Sequence, residues 1–600
     1  MEQLLELARE RKLDRVGATY AVVTWILIQA ASIALPAFNA PPWALRWLIL
    51  AAMIGFPLVL TLTWVTGSRA PRAAIAKPSD AKDWLLTGLI ALVAVLLIVQ
   101  LALDYRWHSA APRSDKSIPS PVAASSIAVL PFANLSGDPK KVYFSDGIAD
   151  QLITELAQTP SVRVAARSSS FAFRGKEVDV KTIAKALNVR AVLEGSVRED
   201  GKRVRIAAEL VDAANGFQIW SKSYDRDLTN ILSLQDQIAH AITEAVAQRF
   251  LGHPVVANLS HPNPRTIDPE AYKAYLQGQY YFRQRTKEGV LRAIDLFTRT
   301  TALAPQYADG FAALADAHAT AALDFQVPNS APAALDGVKK ALSLDANNPT
   351  ALMARATVEL LQWRWRGAAA DVLRLERLHV NTAAVWHMRA IFFDYMGLSQ
   401  FCGQAEEQAI KLDPLSFIDH YNLALYRLRE NRYDDAARVA AQAWALQPGN
   451  ADLQQVNVQI ALGKHDMKRA ERILSALVVQ SGEDSPYTAA ARFFILVAKK
   501  DYAAGHKFVD SVAKRFPSSD ITANDLGIAY ALTNDTDRAM VWFRRAVDLH
   551  EAQFLPVAYT NPLPAKVLAD PRWKALRNEP AVRDWEQARH EIDAEFQAGE

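Results

Sequence analysis

Residues 524–550 read NDLGIAYALTNDTDRAMVWFRRAVDLH. Leu526, Gly527, Tyr530, Ala539, Phe543 and Ala546 take places 7, 8, 11, 20, 24 and 27 of a unit 34 residues long. Small residues at places 8, 20 and 27 let two antiparallel helices approach closely, and large ones at 4, 7, 11 and 24 fill the gaps between them. Such a pair leaves an apolar face that only another pair can cover. The stretch therefore predicts a stack of helix pairs wound into a superhelix.

Working outward, the same spacing recurs. Pro414 and Pro448 stand 34 residues apart. Taken as place 32, they put Trp386 at 4 and Ala409 at 27 of one unit, and Leu423, Ala424, Ala436 and Ala443 at 7, 8, 20 and 27 of the next. A first unit shows Gly278 and Tyr281, then Ala293 and Phe297 after a short insertion, ending at Tyr307. Weaker units are readable over 308–349, 350–380, 451–482 and 489–517, which makes about eight between residues 268 and 550. Residues 551–600, with Pro571 and Pro580 ahead of an amphipathic stretch, read as a terminal cap. The pattern resembles the tetratricopeptide repeat family. That resemblance implies a concave groove for protein or peptide partners, lined here by Tyr275, Gln279, His387, Asp394, Tyr395, Tyr421, Arg429 and Asn524. Aromatic and arginine side chains suit such a recognition surface, although each also reads as an ordinary packing or surface residue.

Upstream, residues 127–252 change character. Ser126–Phe132 and Val162–Ala166 are short strand signals, and Ser145-Asp-Gly147 reads as the cap of a first helix. Val180–Leu187 reads as a second helix. Arg190–Glu199, Lys202–Val211 and Phe217–Tyr224 follow as strands joined at Asp200-Gly201 and Asn215-Gly216, dipeptides that favour tight hairpins. Leu234–Phe250 closes the unit as a helix, giving a small α+β domain.

The stretches SIAVLPFANLSGDPKKVYFSDGIADQLITELAQ (126–158), VRVAARSSSFAFRGK (162–176), ALNVRAVLEGSVREDGKRVRIAAELVDAANGFQIWSKSYD (186–225) and LQDQIAHAITEAV (234–246) resemble the TolB N-terminal-like (FlgO-like) domain. In bacteria that domain commonly precedes tetratricopeptide repeats, as in the C-terminal parts of CadC-type regulators and of class III cyclase homologues. Those relatives carry a winged helix or a cyclase domain at the N-terminus. Here about 15 residues precede the first apolar run, so neither activity is carried over. Ser145, Asp146 and Gly147 near a helix start, with Arg167 and Arg174, form a candidate anion or small-ligand site. The same residues also read as turn and cap chemistry beside a solvated basic loop.

The N-terminal sixth is different again. Residues 16–38, 47–68 and 84–103 are charge-free, and about 20 such residues suffice for a helix to cross a bilayer. The expectation is three transmembrane helices over 16–104 behind a cytoplasmic basic tail, residues 1–15, and ahead of a Pro/Ser/Ala-rich linker, 105–126. Arg9, Arg11, Lys12 and Arg15 in the tail, with Arg69, Arg72, Lys77 and Lys82 in the second loop, place both in the cytoplasm by the positive-inside rule. The C-terminal domains would then lie in the periplasm of a bacterium, anchored in the inner membrane.

Composition narrows the chemistry. Lys+Arg number 67 against 64 Asp+Glu, a net +3 that gives no footprint for direct nucleic-acid binding. One cysteine, Cys402, excludes an intrachain disulfide, and its place in the repeat reads as packing. No phosphate-binding loop, dinucleotide fingerprint, nucleophile elbow or HExxH motif occurs. The pairs His379/His387 and His253/His261 lie eight residues apart with no carboxylate spacing that suggests a metal site. The sequence thus reads as an α-rich multidomain chain, non-enzymatic, without metal or cofactor, acting as an envelope scaffold able to form homo-oligomers. The alternative is a sensor that binds a small ligand or envelope component and works through a separate cytoplasmic effector.

Overall fold

The computed structural model describes residues 125–157, 162–251, 266–515, 521–560 and 563–599, with three isolated positions, Thr24, Ala52 and Gly55. The chain divides into two compact units, residues 1–117 and 118–600, and every element named here belongs to the second.

The second unit begins with a six-stranded sheet. Its strands are β1 (Ser126–Val129), β2 (Ala133–Asn134), β3 (Arg163–Val164), β4 (Ala191–Asp200), β5 (Arg203–Asp212) and β6 (Gln218–Asp227). They lie in the order β3-β1-β4-β5-β6, with β2 beside β4. β1 runs parallel to β3 and β4, and β4-β5-β6 is an antiparallel meander. The hairpin turns work because Gly201 and Gly216 adopt φ of 60° and 75°, which costs a glycine little. Along β5, Val204, Ile206, Ala208 and Leu210 point into the core while Arg203, Arg205 and Glu209 face water, the period-two pattern of a half-buried strand.

Four helices accompany the sheet: α1 (Val142–Ala157), α2 (Arg167–Phe171), α3 (Val180–Leu187) and α4 (Ile231–Val246). α1 and α4 cover one face, with Ile148, Leu152, Ile238 and Ile242 packed on Ile127, Val129, Leu193 and Ile206. α3 covers the other, with Ile183, Ala184 and Leu187 on Ala128 and Val192. α1 starts earlier than its Ser-Asp-Gly cluster suggests. Asp138 caps a single 3-10 turn, Pro139–Lys141, and the helix runs on from Val142, so Ser145 lies inside it and donates back to the Val142 carbonyl. Helix α2, over Arg167–Phe171, has no counterpart in the sequence reading.

Eight antiparallel helix pairs follow: α5/α6 (Pro269–Phe282, Lys287–Leu303), α7/α8 (Ala308–Phe325, Ser330–Leu344), α9/α10 (Pro349–Leu361, Trp365–Arg377) and α11/α12 (Ala383–Tyr395, Ser399–Leu412). Then come α13/α14 (Phe417–Arg429, Tyr433–Leu446), α15/α16 (Ala451–Gly463, Met467–Ser481), α17/α18 (Pro486–Ala498, Tyr502–Arg515) and α19/α20 (Ala523–Leu532, Thr536–Asp548). The turn inside each pair holds a residue in the left-handed region, and that of the second pair holds two, Gln326 and Asn329. From the third pair on, that residue is Trp363, Gly397, Asn431, His465, Lys500 and Asn534, at steps of 34, 34, 34, 35 and 34. The backbone therefore repeats with the period of the sequence, and the stack is a superhelix of the tetratricopeptide-like kind.

The lock inside a pair is visible at its ends. A Cβ on Gly527 would meet the Phe543 ring at 2.5 Å, and Gly278 sits against Phe297 in the same way. In these two pairs place 8 must be small because place 24 is a ring.

Among the described residues three short helices, α21 (Val557–Thr560), α22 (Ala565–Ala569) and α23 (Pro571–Arg577), and a long one, α24 (Pro580–Gly599), come last. Trp573 of α23 packs edge-on to Phe543, which caps the eighth pair. α24 instead crosses back to the third and fourth pairs, burying Val582, Trp585, Ala588, Ile592 and Phe596. The Trp585 indole donates to the Tyr395 carbonyl at 3.1 Å, Arg366 pairs with Asp584 and Glu591, and Phe596 packs on Phe393.

The expectation of three membrane-crossing helices is corrected, and the multi-pass inner-membrane location is corrected with it. Among the described residues no helix is long and apolar enough to cross a membrane. The long helix α7 carries Asp309, Asp316 and Asp324, and α24 has a charged outer face, whereas a span needs about 20 residues apolar all round. The runs at 16–38, 47–68 and 84–103, apart from the three isolated positions, lie outside the described residues, as do the basic tail and most of the linker.

Candidate functional site

The groove residues do not form one surface. Tyr275 and Gln279 on α5 face the α+β domain, because α1 lies across the first pair. Gln151 donates to the Tyr275 hydroxyl at 3.3 Å and Gln279 donates to it at 3.2 Å. Tyr275 is buried against Phe297 and Tyr307, and that burial pushes its phenol well up. Around it, Gln235 donates to the Tyr272 hydroxyl at 2.7 Å, Lys273 pairs with Glu199 at 2.9 Å and Arg283 pairs with Asp150 at 3.1 Å. One hydrophobic core runs from Ile127 through Tyr272 to Ala317, so domain and first repeats are a single packed body.

The candidate anion residues are used in that packing. Asp146 is engaged by Arg174 at 2.5 Å, and Asp150 lies 3.6 Å from Arg167. Both guanidinium groups lie over the Phe171 ring, at 4.0 Å for Arg167 and 5.3 Å for Arg174. Gly147 abuts Leu276. Ser145 and Arg174 line a cleft of about 320 Å³ with Asn134 and Glu194. Each arginine there already faces a carboxylate, so no unpaired basic pair awaits an anion.

A second anchor joins the domain to the fourth repeat. The Ala166 amide donates to the Leu412 carbonyl at 2.8 Å, the Ser168 and Ser169 hydroxyls donate to the Asp413 carboxylate, and the Leu415 amide donates to Ser169 Oγ at 2.8 Å. Burial raises the Asp413 pKa even with those donors.

The remaining predicted residues cluster at the fourth and fifth repeats. Asp394 and Arg429 bridge α11 and α13 at 2.6 Å, Tyr395 is held beside the returning α24, and Tyr421 stacks on Phe417. Burial raises the Tyr421 phenol to about 12. Asn524 stands apart, in the first turn of α19, where its backbone amide donates to Glu551 at 2.8 Å. His387 lies in the angle between two carboxylates. Its Nδ1 is 3.2 Å from Glu406 Oε1 on α12 and 3.1 Å from Asp419 Oδ1 on α13. Burial depresses the imidazole, but contact with Asp419 and Glu406 overrides that and lifts it to about 10. Burial raises Glu406 in turn, against the lowering by His387. Cys402, next to this cluster on α12, is fully buried with its thiol pushed up by burial, and its Sγ faces the Leu398 carbonyl.

Sequence reasoning missed Glu406 and Asp419. They lie 19 and 32 residues beyond His387, on other helices, so no short motif links the three. A signal was present all the same. Numbering the fourth repeat from Ala383 puts Glu406 at place 24, where the first and eighth repeats hold Phe297 and Phe543. A carboxylate at a core place is a departure that asks for a partner.

Comparison with known proteins adds family context. Residues 123–241 match the family described as HilA/YgeH-like transcriptional regulator, second domain, and residues 427–492 match a tetratricopeptide repeat family. The region read as TolB N-terminal-like is thus matched under a different description. A Rhizobium meliloti (strain 1021) protein named "Putative adenylate cyclase 3" is 34% identical over 233 residues. The match covers 38% of this chain and 39% of that protein, so the chain spans well under half the length of this relative. Among solved structures, PilF of Pseudomonas aeruginosa is 20% identical with a TM-score of 0.29, covering 35% of this chain and 91% of its own. YrrB, described as a TPR protein with an unusual peptide-binding site, is 17% identical with a TM-score of 0.25, covering 30% and 91%. Yeast Tom70 is 15% identical with a TM-score of 0.31, covering 76% and 86%.

Proposed function

We propose that the chain is a non-enzymatic protein-binding scaffold whose partner, a protein or peptide segment, docks on α11 and α13, the first helices of the fourth and fifth repeats. The observation that carries this reading is the unequal filling of the groove. The first repeat's concave face is taken by α1, whereas His387, Asp394, Tyr395, Tyr421 and Arg429 are only partly buried and combine aromatic surface with both signs of charge. The α+β domain, read as TolB N-terminal-like, serves in this proposal as a fixed brace for the repeats.

A photocrosslinker placed at Tyr421 or Arg429 in cells is expected to capture a defined protein, and one at Tyr275 to give only contacts within the chain. Capture from Tyr275 but not from Tyr421 or Arg429 would overturn the assignment. A second reading has its own support in the partial likeness to the Rhizobium protein and to the HilA/YgeH-like second domain. In it, domain and repeats form the receiving half of a signalling system with a separate effector. Co-isolation of a kinase, cyclase or transcription regulator from the Tyr421 crosslink would favour it.

A further inference from the structure

Glu406 is fully buried at the place where the first and eighth repeats hold a ring, and one of its oxygens, Oε2, has no hydrogen-bond partner. His387 Nδ1 faces Glu406 and Asp419 together, yet makes a hydrogen bond of acceptable geometry to neither. One donor atom from each of the three residues lies within 4.8 Å of the other two. We propose that His387, Glu406 and Asp419 are the protein ligands of a divalent transition-metal ion, of which Zn2+ and Mn2+ fit the donor set, tying the fourth repeat to the fifth.

The geometry accommodates an ion as well as a proton. A proton on Nδ1 can be shared well with one oxygen, whereas an ion on the same lone pair bonds both carboxylates. Ligand atoms about 2.1 Å from an ion lie about 3.0 Å apart at right angles and about 3.4 Å apart at tetrahedral angles. The observed 3.1 and 3.2 Å fall between these values. One imidazole nitrogen with two carboxylate oxygens is a borderline-to-hard set, matched to Zn2+ or Mn2+ and open to further ligands. Asn422 donates to Glu406 Oε1 at 3.2 Å, the kind of outer contact that fixes a ligand's orientation. The three ligands come from α11, α12 and α13, so an ion here would clamp the junction between two repeats. This inference stands whether or not a protein partner docks nearby.

The full chain, stripped with a chelator and titrated with Zn2+ alone in a calorimeter, is expected to bind one equivalent that Glu406→Gln and His387→Gln each weaken at least tenfold. Substitution with Co2+ should give visible d–d absorption in the wild type that both variants lose. Asn422→Ala is expected to weaken binding about tenfold. Far-UV circular dichroism checks that each variant folds, and Asp419→Asn replaces any that does not. Absence of a stoichiometric site, or equal affinity in the wild type and the folded ligand variants, would overturn the proposal.

Discussion

The fourth and eighth repeats share one backbone plan but differ at place 24. In the eighth, Phe543 fills the space that Gly527 leaves, and its ring also meets Phe554 and Trp573. In the fourth, the same place holds Glu406, turned to His387 and Asn422. The difference teaches that the superhelix needs a filled gap but not always an apolar one. Where neighbouring repeats already supply stability, a core place can be given to charge. The fourth repeat is also where the Ser168–Ser169 segment and α24 both attach, so it is braced from two sides.

The largest effect should come from the apolar version of the lock. Phe543→Ala is expected to cost about 3–5 kcal/mol, read as a fall in the denaturant midpoint and faster amide exchange across α19, α20 and α23. A cost under 1 kcal/mol would show that the ring is not what holds the eighth pair.

Next comes the charged version. His387 has a folded-state pKa of about 10, above its unfolded value near 6.5, so the protonated ring favours the folded chain. In chelator-treated protein, the stability gap between wild type and His387→Gln should be about 3 kcal/mol below pH 6.5 and should close as pH rises through about 10. Denaturation at stepped pH measures this, and a gap that widens with pH would refute it.

Asp413→Ala should be milder, about 1–3 kcal/mol, because it removes one acceptor from two serine hydroxyls. Its signature is faster hydrogen exchange confined to residues 166–173 and the turn at 413–416. The smallest effect is expected for Glu406→Leu, within about 1 kcal/mol of wild type, since His387 keeps Asp419 as its partner and the side chain gains apolar contacts. A loss as large as that of Phe543→Ala would erase the distinction between the two repeats.

The helix pairs could be read from the sequence because their signal is local. Gly278, Gly527, Ala424 and Ala436 recur at fixed places, and a 34-residue period survives many departures. The meander was equally legible through Gly201 and Gly216. The candidate site was legible only in part. His387, Asp394, Tyr421 and Arg429 lie together on two neighbouring helices, but Tyr275 is spent on the α+β domain and Asn524 is remote. The carboxylates around His387 were hidden because two other helices supply them, and the N-terminal runs lie outside the described residues.

The sequence by itself determined the meander, the repeat helices and their period, and the small-to-large pairing in the first and eighth repeats, since these depend on residues a few turns apart. Only the tertiary structure decided that α1 fills the first groove, that Asp413 grips Ser168 and Ser169, and that Trp585 reaches back 190 residues to Tyr395. Those choices rest on surfaces meeting across long stretches of chain. Shape and charge complementarity settle them, and neither is written in any local spacing.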